Sequence, residues 1–155
     1  MKRAPERFMQ TGDFVSACRH GFILFCSELI RSGELAKHPP THCTAMLDQN
    51  PGLNQRCGYD IGCGFSTTLN RSRLGPLVKE KGLWMLVGSF HGHAHNRLCQ
   101  LLWHPLRVDG VGLEDFETCE QIFFESNDVA RLIRYASLFH YRQYLDLHWR
   151  HWDSM

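Results

Sequence analysis

Three histidines at alternate positions, His91, His93 and His95, with Cys99 four residues further on, form the densest group of metal-ligating side chains in the chain. Side chains two apart share one side of a strand, and side chains four apart share a helix face. A strand running into a helix across Gly88-Ser89-Phe90-His91-Gly92-His93-Ala94-His95-Asn96-Arg97-Leu98-Cys99-Gln100 would gather imidazoles and a thiol at one strand end. Tyr59-Asp60-Ile61-Gly62-Cys63 adds a carboxylate and a second thiol, and Glu114, Asp115, Glu117 and Glu120 supply four acids within seven residues. Polar groups of these kinds are rarely buried without partners. The pattern points to a catalytic or metal-binding domain.

Alternating elements must position these groups. A strand is expected over 13–18, then an apolar run from Gly21 whose Phe22, Leu24, Phe25, Leu29 and Ile30 mostly keep helical spacing. Gly33 ends or kinks that helix, Pro39-Pro40 stops what remains, and a second helical piece covers 41–47. A short strand over 57–61 and a helix over 66–73 precede the best strand, 83–90, and a helix over 96–103. After a Gly- and Pro-containing loop at 105–112, a helix suits 113–125. Ser126-Asn127-Asp128 reads as the N-cap of a last helix, with Val129, Leu132, Ile133, Ala136, Phe139, Tyr144 and Leu147 as its apolar stripe. Strands alternating with helices argue for an α/β layer.

Composition narrows the class. The 155 residues are 43% hydrophobic and 21% charged, which suits one globular domain with a genuine core. A formal net charge of +1 gives no global footprint for nucleic acid. No apolar run approaches a membrane span, and the basic start is followed by no apolar segment of a secretory signal. Seven scattered cysteines fit reduced thiols in cytosol or nucleus. Residues 1–11 are expected to be disordered.

Several ordered blocks carry a family resemblance. They are Cys18-Arg19-His20-Gly21, Arg31-Ser32-Gly33-Glu34-Leu35-Ala36-Lys37, Gly58-Tyr59-Asp60-Ile61-Gly62-Cys63, the histidine block 90–100, Gly112-Leu113-Glu114-Asp115-Phe116-Glu117 and Ser126-Asn127. In this order the chain resembles the Kyakuja–Dileera–Zisupton (KDZ) transposases of fungal genomes, from about Gly12 to Trp152. The resemblance implies a ribonuclease-H-like transposase core with additional helices, nuclear action on transposon-end DNA, and three acids holding divalent metal. Two Mg²⁺ or Mn²⁺ ions about 3.5–4 Å apart activate the attacking oxygen and stabilise the leaving one in such sites. Asp60 matches the second acid and Glu117 the third, with Glu114, three residues back on the expected helix face, as second choice. Acids early in a helix also face solvent simply because the macrodipole favours them there.

The first acid of the family lies in a strand upstream of the Cys18 block, and only 17 residues precede Cys18. Asp13 falls where the family has an apolar residue. The chain therefore reads as a single incomplete catalytic-core domain, shortened at both ends, inactive alone, and paired with a full-length transposase subunit if it acts at all. Two acids alone would hold Mg²⁺ weakly. The alternative is a non-enzymatic, transposon-derived module that binds DNA, Zn²⁺ or protein.

Cys63, His95 and Cys99 also fall on family positions. Zn²⁺ favours four N or S ligands in a tetrahedron, and His91, His93 or Cys18 would supply the fourth. Otherwise the thiols act as small buried hydrophobes and His95 bonds a backbone carbonyl. A cysteine hydrolase lacks an evident oxyanion turn. Arg19, His20 and Arg97 are the candidate phosphate contacts, the competing reading being arginines that bridge carboxylates. The aromatic and basic residues of 139–152 read either as a base-stacking surface or as an amphipathic helix face.

Overall fold

Strand β1 (Gln10–Ala17) turns into β2 (Ile23–Ile30), followed by helix α1 (His38–Gln49), β3 (Arg56–Gly58), α2 (Gly62–Arg71), α3 (Gly75–Lys81) and β4 (Trp84–Leu86). Then come α4 (Ser89–Gly92), α5 (Arg97–Trp103), a 3₁₀ turn (Pro105–Arg107), α6 (Thr118–Ile133) and α7 (Leu138–Trp152). This computed structural model describes residues 9–154. The expected N-terminal disorder lies outside the described residues for 1–8, whereas Gln10 already opens a strand. The chain is mixed α/β and divides into two compact units: one built from residues up to His38 and from Thr118 onward, the other Pro39–Glu117. Among the described residues no helix is long and apolar enough to cross a membrane.

The first unit is built on an antiparallel hairpin, with Asp13 opposite Glu28 and Val15 opposite Cys26. The apolar run after Gly21 is thus a strand, not the expected helix. Aromatic and β-branched residues favour that state, and exposure alternates residue by residue from Gly21 to Cys26. The reversal needs Gly21 at φ +90°, where its N–H donates to Cys18 O at 2.9 Å and Cys18 N–H donates to Phe22 O at 3.0 Å. Helix α7 is tied to this hairpin. The Tyr141 hydroxyl donates to Asp13 Oδ2 at 2.7 Å, Trp152 Nε1–H donates to Gly21 O at 2.8 Å, and Arg142 grips Glu28 with two nitrogens.

Ser126 does not cap a helix. It lies inside α6 and returns its hydroxyl to Ile122 O at 2.6 Å, a local bond open to serine within a helix. Its oxygen is also 2.9 Å from His148 Nε2. The cap of α7 is Ser137, which accepts from His140 N–H. Pro39 and Pro40 likewise open α1 where a stop is expected. The first-turn amides of a helix have no intrahelical acceptor, so proline loses nothing there.

The second unit pairs β3 with β4 in parallel, Cys57 beside Met85 and Gly58 beside Leu86. Helices α2 and α3 make the crossover. Cys43, Leu47, Phe65, Leu69, Val78, Leu83 and Met85 form its buried core, against which Met46, Tyr59, Leu74, Leu77 and Trp103 pack. The expected long strand at 83–90 keeps only three residues, because the chain turns into α4 after Gly88. Gly62 starts α2 directly against the Leu86 carbonyl, so a Cβ there would overlap that oxygen. None of the seven cysteines forms a disulfide.

Two outcomes follow from this packing. Gly62→Ala should cost about 1–3 kcal/mol by overpacking, whereas Gly64→Ala, with nothing near its added methyl, should gain about 0.4–1 kcal/mol; urea unfolding reads both. Burial raises the Asp13 carboxyl above its usual 3.8 despite hydrogen bonds from Tyr141 and Gln10 that lower it. A carboxyl raised in the folded state adds stability as pH falls through that raised value toward 3.8. Asp13→Asn should therefore lose stability relative to the parent chain as urea melts are moved from neutral pH toward pH 4.

Candidate metal and acid site

Residues 113–117 are not helical, contrary to expectation. Gly110 and Gly112 adopt positive φ, as does Phe116 at +60°. Asp115 Oδ1 accepts the Glu117 N–H at 2.9 Å and Glu114 Oε1 accepts the Phe116 N–H at 3.4 Å, short-range bonds of the type that compete with helix. Glu114 and Glu117 thus share no helix face. Phe116 packs so closely on Gly58 that a Cβ at 58 would overlap its ring. This irregular segment delivers Glu117, the residue before α6, into the second unit.

The Glu117 carboxylate lands at the N-terminus of α4. Its Oε1 accepts the N–H of Phe90 at 2.7 Å and of His91 at 3.2 Å, and its Oε2 lies 3.0 Å from His91 Nδ1. Amides at a helix start lack intrahelical partners and attract negative charge. The other imidazole nitrogen, His91 Nε2, is 3.6 Å from Asp60 Oδ1. Asp60 follows β3 and is 61% exposed, whereas Glu117 is 11% exposed. Asp60 and Glu117 are therefore gathered around one imidazole, the first reachable from solvent and the second committed to backbone donors. Gly88 is what permits the approach, since a Cβ there would overlap the carboxylate.

The histidines do not alternate along a strand. After Gly88 the chain coils, and the three rings go to three places. His91 sits between the acids, His93 meets the His104 ring edge-on at 6.3 Å, and His95 turns to the thiols. Cys63, near the start of α2, places Sγ 3.5 Å from His95 Nδ1, and Cys99 in α5 places Sγ 3.2 Å from the same nitrogen. Asn96 caps α5 by accepting the Cys99 N–H at 3.0 Å, which orients that thiol's turn. All three ligand atoms lie within 4.8 Å of one another, so the cluster is able to hold a metal ion. Burial, with hydrogen bonding from Cys63 next, pushes the Cys99 thiol up to about 11.

Arg19 and His20 occupy the exposed hairpin turn of the first unit. Arg97 is exposed at the start of α5, with Nη1 3.4 Å from Gln100 Oε1. Of the three candidates for a fourth zinc ligand, His91 is engaged by the two acids and His93 meets His104, and the cluster among the described residues contains neither of them nor Cys18. Sequence reasoning missed Gly88 as the cradle of Glu117, and the amides of Phe90 and His91 as its partners. A Gly-Ser pair directly after an apolar strand was the available signal for a turn there. It also missed His38 and His42, four apart on α1 and both buried.

The geometry predicts that Gly88→Ala displaces Glu117 from the α4 amides. A loss of about 1–3 kcal/mol should be seen in urea unfolding. It should be accompanied by a shift of the His91 ring resonances, while those of His95 stay in place.

Neither a curated protein nor a solved structure matches the chain. The model of the Kyakuja-Dileera-Zisupton transposase family matches residues 1–153, nearly the whole sequence and both clusters just described. With that extent of match, the chain belongs to the KDZ transposase family.

Proposed function

We propose that this transposase-derived protein acts on DNA in the nucleus of a fungal cell, with Asp60 and Glu117 as its metal-holding acids, and that alone it binds DNA without completing strand transfer. The family match carries this reading. An acid after β3 and another reached after its parallel neighbour β4 also accord with a partial ribonuclease-H-like core, in which carboxylates meet near neighbouring strand ends.

The fit to Mg²⁺ or Mn²⁺ is incomplete. Hard cations need several oxygen ligands in fixed geometry, yet the His91 ring stands between Asp60 and Glu117. One Glu117 oxygen is also already taken by two amides. Such metals, when bound, would activate the attacking oxygen and stabilise the leaving one. What these residues do as they stand is narrower: Glu117 orders the turn at 89–92, and His91 links it to the exposed Asp60. A second transposase subunit is the partner of this reading, one that would add oxygen ligands beside the exposed Asp60. A Zn²⁺ ion at Cys63, His95 and Cys99 is the second cofactor of this reading, bracing the segments that carry Asp60 and His91. Arg19, His20 and Arg97 are its phosphate contacts, of the kind guanidinium groups make in bidentate fashion.

Two readouts on the purified chain test it. DNA binding should weaken with rising salt and weaken further in Arg97→Gln, because each lost phosphate contact lowers the salt slope by about one. Supercoiled plasmid with Mg²⁺ or Mn²⁺ should be nicked no faster by the parent chain than by Asp60→Ala. Nicking that Asp60→Ala abolishes would replace the inactive reading with a working nuclease, and absence of DNA binding would remove the DNA-directed role altogether.

A further inference from the structure

Two sulfurs converge on one nitrogen: Cys63 Sγ and Cys99 Sγ stand 3.5 Å and 3.2 Å from His95 Nδ1. A single imidazole nitrogen either donates one proton or accepts one. Hydrogen bonding to this nitrogen therefore satisfies one thiol and leaves the other only the neighbouring sulfur as a partner, a weak donor–acceptor pair. A metal satisfies all three. With Zn–S of about 2.3 Å and Zn–N of about 2.0–2.1 Å, a tetrahedral ion sets its S···N edges at about 3.5 Å, close to both observed separations. Thiolates with an imidazole select a soft or borderline ion such as Zn²⁺ and disfavour Mg²⁺ or Ca²⁺.

The number of ligands decides what kind of centre this is. Among the described residues the group has three members and no fourth Cys, His, Asp or Glu. His91 is held by Glu117 and lies beside Asp60, and His93 stacks edge-on against His104. Structural zinc sites are closed by four protein ligands, whereas three protein ligands leave a position for solvent. Access is present too: Cys99 is buried, but Cys63 and His95 are only half-buried. Two thiolates and a neutral imidazole cancel the charge of Zn²⁺, so a neutral water suits the remaining position.

Resting on the zinc reading above, we propose that Cys63, His95 and Cys99 hold Zn²⁺ as a three-ligand centre whose fourth position carries an exchangeable water, open to a small exogenous thiolate. The site is then a ligand-accepting centre and not only a brace.

The test uses Co²⁺ as the spectroscopic stand-in on the full chain, stripped of metal and kept under nitrogen. One Co²⁺ per chain should give the absorption of a tetrahedral ion with thiolate charge-transfer bands, be displaced by Zn²⁺, and change its spectrum when 2-mercaptoethanol is added. Cys63→Ser should keep binding Co²⁺ more weakly, with roughly half the charge-transfer intensity, since one of two thiolates is gone. Cys63 is the half-exposed ligand, so this variant tests the idea even if Cys99→Ser fails to fold. An unchanged spectrum at full Co²⁺ loading in excess thiol would overturn the open position. Absence of tetrahedral Co²⁺ would overturn the centre itself. Neither result depends on DNA, so a failure to bind or nick plasmid counts against the transposase reading alone.

Discussion

The carboxylate of Glu117 is the constraint on which the second unit's chemistry depends. It is almost buried, and a buried charge persists only where donors meet it. The donors are the amides of Phe90 and His91 and the ring of His91. Satisfying them requires the chain to leave β4 early and coil into α4, with Gly88 at the point of closest approach. That single requirement decides where every histidine of the block goes. A straight strand through 83–90 would have put His91, His93 and His95 on one side; the coil sends them to an acid cluster, a histidine and a thiol pair.

Two clusters of different chemical hardness result, and they are carried by the same segments. Asp60 and Cys63 lie three apart at the entrance to α2, while His91 and His95 lie four apart across the turn after β4. Tyr59 N–H donates to the Leu86 carbonyl, and Gly62 lies close enough to that oxygen that a Cβ would overlap it, so the first segment's position is set by the same strand that leads into the second. Oxygen ligands suit hard cations and sulfur ligands soft ones, so the two clusters differ in the kind of ion their ligand atoms favour. Movement of either segment would alter both sites together. The KDZ membership marks the chain as transposase-derived, and the His91 ring stands between its two gathered acids.

The first unit shows how short polar bonds hold an element whose own sequence is ambiguous. Phe22 to Ile30 has enough apolar residues at helical spacing to suggest a helix, yet as β2 it pairs its backbone with β1 and its Glu28 with Arg142. Tyr141 holds the half-buried Asp13 from α7, and Trp152 closes on the hairpin turn at Gly21.

Local chemistry was legible from the residues alone wherever the answer lay within one turn or one strand. The strand around Asp13, the short strand before Asp60, the helix after Cys63 and the helix that follows Asn96 all follow from spacing. The gathering of Cys63 with His95 and Cys99 was also legible, His95 and Cys99 from their spacing of four and Cys63 from the family resemblance. Tertiary structure decided what local pattern leaves degenerate. It made 23–30 a strand because β1 was there to pair with it. It ran α6 through Ser126, since the continuous helix buries Ile122 and Ile133, and it separated Glu114 from Glu117 because Asp115 and the positive-φ residues hold that segment out of helix. It parted the three histidines because a buried carboxylate from a distant segment needed the very amides that a continuing strand would have spent elsewhere. Sequence spacing specifies which groups are able to meet; burial and the need to satisfy each polar group determine which of them do.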